Sequence, residues 1–179
     1  MECLTTKTKR RKKKTIIVCK KKKAKKKRRV IIVRTSAFRA VNATADQTVT
    51  ANTPVVPVQY PNQIFDINNE YDTATSTFTP KQDGIYFIIA SVSFFPDDVM
   101  TNYRLVLNIR VNDFPIVTDD EFFGANPVPT GDQISVSGIL KLEKGDKVTI
   151  SLFPTTDGII VADPRGTHFE ASRLTSIKH

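Results

Sequence analysis

Residues 84–95 read GIYFIIASVSFF, and how this stretch is read decides the fold. Taking every second residue, Tyr86, Ile88, Ala90, Val92 and Phe94 form one apolar set. Ile85, Phe87 and Ile89 make the opposite set apolar as well through the first half. A period of two is that of a β-strand, whose successive side chains point to opposite faces. A strand in a two-sheet sandwich needs only one apolar face. The second face therefore needs a cover, which is either a long loop over a central strand or another copy of the chain. The chain has 179 residues and no stretch with a helical period, and the reading adopted is contact between copies.

The flanking sequence continues in the same manner. In YRLVLNIRVN (103–112), Tyr103, Leu105, Leu107, Ile109 and Val111 alternate with polar residues, Val106 excepted. In ISVSGILKL (134–142), Ile134, Val136, Leu140 and Leu142 form the inward set. The pair Gly145–Asp146 reads as a hairpin turn, and Gly84, after PKQD, as a turn position needing positive φ. Short alternating runs broken by Pro, Gly, Asn and Asp predict an all-β sandwich or barrel.

Several motifs together resemble the C1q/tumour-necrosis-factor jelly-roll family. SAFRA (36–40) is similar to its opening strand. IFDINNEYDTATSTFTPKQDGIYFIIA (64–90) carries Phe65-Asp66, Tyr71-Asp72, Ala74-Thr75, Phe78 and Gly84-x-Tyr86. SGILKLEKGDKVTISL (137–152) is similar to the family's late hairpin, and THFEASRLTSI (167–177) to its closing strand, with Ala171 where the family has Gly and Arg173 where an apolar residue is common. The resemblance implies a ten-stranded jelly roll over residues 36–179 that assembles as a homotrimer, and a binding or scaffolding role without catalysis. Tyr86, Phe87, Ile88, Ile89 and Phe169 are the residues expected to divide between core and trimer interface.

The first 35 residues are of another kind. They hold 17 of the 27 Lys and Arg but one of the 18 acids, a net charge of +16, which leaves −7 for residues 36–179. The basic pI thus belongs to the N-terminal segment, and the remainder is a poor nucleic-acid surface by charge. Within the segment a 15-residue repeat sets Ile16, Ile17 and Val18 in register with Ile31, Ile32 and Val33. These read as two short β-branched strands gated by charge, suited to pairing with a neighbouring subunit. Thirty-five extended residues reach on the order of 115 Å, against about 40 Å for a domain of this size. Cys3 and Cys19, the only cysteines, exclude an internal disulfide framework in the body and are candidates for intermolecular disulfides.

The sequence carries no recognisable catalytic constellation. His168 and His179 are isolated, no Cys/His cluster has metal spacing, and no Gly-rich phosphate loop occurs. No cofactor is expected. Asp97-Asp98 and Asp119-Asp120-Glu121 are weak calcium candidates if they lie in loops. Asn42-Ala43-Thr44 fits a glycosylation acceptor, but without a signal peptide no modification is expected there. There is no apolar run of transmembrane length and no secretory h-region, so neither a membrane span nor general secretory export is expected.

The reading adopted is a structural, self-assembling protein whose N-terminal segment docks into neighbouring subunits or other surface-layer proteins. The expected setting is a bacterial spore surface, as exosporium or appendage. Two alternatives remain: a small viral coat protein in a virion, whose basic arm binds nucleic acid, and a C1q-like ligand-binding or adhesion module.

Overall fold

A computed structural model describes residues 35–124 and 131–176. Twelve strands occur among them. They are β1 (Ala37–Val41), β2 (Gln47–Val49), β3 (Asn62–Asp66), β4 (Tyr71–Asp72), β5 (Thr77–Phe78) and β6 (Gly84–Pro96), followed by β7 (Tyr103–Val111), β8 (Phe114–Phe123), β9 (Asp132–Leu142), β10 (Val148–Pro154), β11 (Gly158–Ile160) and β12 (His168–Ser176). The described residues contain no helix, and the all-β jelly roll is the fold observed. The expected ten strands undercount it. Strands β2, β4, β5 and β11 have three residues or fewer, too few for alternation to register in a sequence.

The seven-stranded sheet runs β2-β11-β6-β12-β1-β3, with β9 on the other side of β6; the five-stranded sheet runs β4-β5-β10-β7-β8. The ladders are antiparallel. Strand β6 is the hub: β9 pairs with it from Gly84 to Phe94, while β12 and then β11 pair along its opposite edge.

The core lies between the sheets and follows the alternation. Tyr86, Ile88, Ala90, Val92 and Phe94 are wholly buried and face Leu105, Leu107, Ile109, Ile150 and Leu152 in one cluster. At one end Phe38 stacks on Tyr71 and Phe78, with ring centroids 4.7 and 4.9 Å apart, and meets Phe169 edge-on at 5.0 Å. Buried tyrosines need a partner for each hydroxyl. Tyr86 donates to the Gln82 carbonyl at 2.7 Å, Tyr71 to the Tyr60 carbonyl at 2.9 Å, and Tyr103 to the Asp132 carboxylate.

Two glycines are explained by close approach. Gly84 was expected to serve a turn with positive φ; instead it opens β6. A Cβ there would lie 2.7 Å from Arg173 Cδ and 2.8 Å from the Thr175 carbonyl oxygen. Gly138 on β9 admits Val117 of β8, whose Cγ2 would be 2.9 Å from an added Cβ, so the two sheets close tightly along that side. Positive φ is found at Gly145, at 95°, as the hairpin reading requires.

Candidate self-association surface

The solvent-side face of β6 carries the second apolar set. Phe87 is 38% exposed, Ile85 and Ile89 are half-buried, and none of the three belongs to the core. Antiparallel register places Ile139 of β9 directly opposite Phe87. Cβ atoms so paired are about 4.5–5.5 Å apart, so the two form one unit. Ile139 is 66% exposed. Across the other edge of β6, Ser172 stands opposite Phe87 and Glu170 opposite Ile89. A central strand of a sheet therefore presents an apolar strip to water, rimmed by polar residues. Of the five residues singled out from the sequence, the structure sends Tyr86, Ile88 and Phe169 to the core and Phe87 and Ile89 to this face.

A charged row borders the strip. Ile89 registers with Glu170, Glu170 with Arg39, and Arg39 with Phe65 of β3. Arg39 Nη1 lies 2.6 Å from Glu170 Oε1. His168 Nδ1 lies 3.1 Å from the same oxygen, yet this nitrogen is buried and makes no hydrogen bond. The contact has the distance of an ion pair without the alignment of a hydrogen bond. Burial pushes the His168 pKa below its ordinary value, with Glu170 pulling upward and Arg39 downward. Ile139 and this row were not singled out from the sequence. Ile139 sits in the outward phase of an alternating strand and was legible there. Arg39 and Glu170 are far apart in the chain and meet only through the β1–β12 ladder.

The carboxylate candidates are placed otherwise than expected. Asp119, Asp120 and Glu121 belong to strand β8, not to a loop. Alternation sends Asp120 to the face opposite its neighbours. There Arg104 Nε donates to Asp120 Oδ1 at 2.6 Å, and this bond holds the Asp120 pKa down. Glu121 instead sits near Asp119 and Asp132, and burial followed by these like charges pushes its pKa up. Among the described residues no three His, Cys, Asp or Glu side chains are disposed to hold a metal. Asp98 caps its own loop, accepting from Met100 N at 2.8 Å and Thr101 Oγ1 at 2.6 Å.

The sequon asparagine, Asn42, is buried, and its Nδ2 donates to the Ala45 carbonyl at 2.8 Å, which leaves that nitrogen no access for glycosylation. Cys3, Cys19, the β-branched triplets Ile16–Val18 and Ile31–Val33, and His179 lie outside the described residues. Among the described residues no helix is long and apolar enough to cross a membrane.

The C1q domain model matches residues 37–170. The chain belongs to the C1q family. No curated protein matches it by sequence. Its fold is similar to the globular domain of zebrafish complement 1qA protein, with 21% identity, a TM-score of 0.50, and coverage of 79% of this chain and 99% of that one. It is also similar to murine APRIL, with 14% identity, a TM-score of 0.58 and coverage of 79% and 100%. For the Eiger TNF of S. frugiperda the identity is 12%, the TM-score 0.55 and the coverage 81% and 94%. In this C1q domain the strip on β6 and β9 is an exposed apolar patch on a central strand and its neighbour.

Proposed function

We infer that the chain is a non-catalytic, self-associating C1q module, a homotrimer joined through the outer face of its seven-stranded sheet. C1q domains are generally binding or structural modules, and domains of the C1q/TNF type typically form trimers. Family membership alone fits either a ligand-binding module or a structural role. The observation that favours assembly is the Phe87–Ile139 pair, bulky and apolar on the solvent side of a central strand. Burying each such side chain contributes about 1.5–3 kcal/mol, and closed symmetry repeats the gain in every subunit. In this proposal the basic N-terminal segment then links trimers into a layer or fibre, for which a bacterial spore surface is the proposed setting.

The test is sedimentation of the full-length chain. The smallest species of wild type at micromolar concentration is expected to have three times the mass of one chain, with larger species in multiples of three. Phe87→Asp and Ile139→Asp are expected to give monomers with unchanged far-UV circular dichroism, because both side chains point out of the core. A monomeric wild type, or aspartate variants that still associate, would sink the reading.

A further inference from the structure

Arg39, Glu170 and His168 occupy one corner of the outer face, and the groups around His168 define a small closed system. From β1 its register partner is Val41, and the charge of Arg39 acts on it. From β12 it meets Glu170. From β6 its register partner is Ser91, which does not titrate. The loop before β12 contributes Asp163 and Arg165, ion-paired with each other at 3.2 Å, and the Pro164 carbonyl, which accepts from Arg39 Nη2 at 3.5 Å. One carboxylate oxygen, Glu170 Oε1, thus faces both the Arg39 guanidinium, which already holds it, and the His168 imidazole. Only 14% of the His168 side chain is exposed, and its Nδ1 has no hydrogen-bonding partner.

We propose that Arg39, Glu170 and His168 form a proton-sensitive latch that loosens association between copies of this chain on acidification. With His168 neutral, Arg39 and Glu170 balance. With His168 protonated, the carboxylate is shared between two cations, and the corner gains one positive charge per copy. That charge sits beside Ile89, whose register partner is Glu170 itself. Copies brought together by the apolar strip bring these corners together too, and like charges repel most where water is excluded. The native environment already favours neutral imidazole through burial. Protonation therefore works against the native arrangement as pH falls from the ordinary histidine range toward the lowered value.

This latch rests on the trimer reading, so the experiment separates the two. Full-length wild type, His168→Gln and Glu170→Gln are followed by sedimentation velocity between pH 7.5 and 5.0. Each subunit's His168 is expected to weaken the overall wild-type trimer dissociation constant about tenfold for each unit by which assembly lowers its pKa, or about a thousandfold for the three together. His168 lies outside the apolar strip, so His168→Gln is expected to match wild type at pH 7.5 and to hold that affinity at pH 5.0. Glu170→Gln, which leaves Arg39 unbalanced at every pH, is expected to associate weakly at both. Linkage supplies a second readout. By NMR, the His168 titration midpoint in Phe87→Asp is expected to lie above that in the associated wild type. If wild type is a monomer at pH 7.5, the trimer reading fails and the latch with it. If wild type is trimeric and equally tight at both pH values, or if His168→Gln weakens as much as wild type, the latch alone is wrong.

Discussion

Glu121 shows how a single side chain can work against its own fold. Its pKa is raised by burial and by the carboxylates of Asp119 and Asp132. A carboxyl whose pKa is higher folded than unfolded gives stability that is present below the unfolded value and is lost as pH rises through the folded one. At neutral pH wild type has lost that contribution. Glu121→Gln is therefore expected to raise the melting temperature at pH 7.5, with the two proteins converging below about pH 4, near the ordinary glutamate pKa. Equal melting temperatures at pH 7.5 would refute the like-charge account. Inward-pointing carboxylates on an edge strand also discourage pairing with a second such edge. The Arg104–Asp120 pair, on the opposite face, is about half exposed on both sides. Arg104→Ala is expected to change stability by less than about 1 kcal/mol in urea unfolding.

Strand β6 serves two purposes on its two faces, and neighbouring substitutions should separate them. Ile88 is wholly buried in the core. Ile88→Ala is expected to cost about 2–5 kcal/mol through lost contacts and a cavity. Ile89 is half-buried on the outer face. Ile89→Ala is expected to cost less in an isolated subunit but to weaken association. Urea denaturation under conditions that dissociate the protein measures the first quantity, and sedimentation at low concentration the second. Equal losses in the first measurement would mean that the two faces are not distinct. Gly84→Ala tests the same strand at its start. Its Cβ would strike the Thr175 backbone oxygen, so the β6–β12 ladder must shift there, and a lower melting temperature is expected.

Across the whole molecule, charge is divided between a basic segment and an acidic body. Under the assembly reading, removing residues 1–35 leaves trimers that build no larger species, because the strip on β6 and β9 lies in the body. Changing Ile17 and Ile32 to Lys together is expected to abolish higher assembly while raising the positive charge. A genome-binding arm predicts the reverse: the extra lysines preserve or strengthen nucleic-acid binding, with a steep salt dependence. Electron microscopy of the three proteins, with the absorbance ratio of purified wild type, decides between them. A double variant that still assembles, with a wild type that copurifies with nucleic acid, would overturn the docking proposal.

Much of this was legible in the sequence by itself. Period-two alternation marked β6, β7 and β9 and their inward residues, because a pleated strand converts sequence parity directly into facing. The motifs around Phe65, Tyr71, Gly84 and Tyr86 indicated the C1q family, and composition alone set the basic segment apart from the body. Parity also shows that Asp119 and Asp120 part company, but only once they are known to lie on a strand, and that was settled by the pairing of β8 with β7. The reason for Gly84 is likewise tertiary: a Cβ is excluded by Arg173 and Thr175, brought alongside by the β6–β12 ladder. The pairing of Phe87 with Ile139 and the sharing of Glu170 between Arg39 and His168 depend on strand order and register. Those follow from how two sheets close over one core, which no local pattern of residues records.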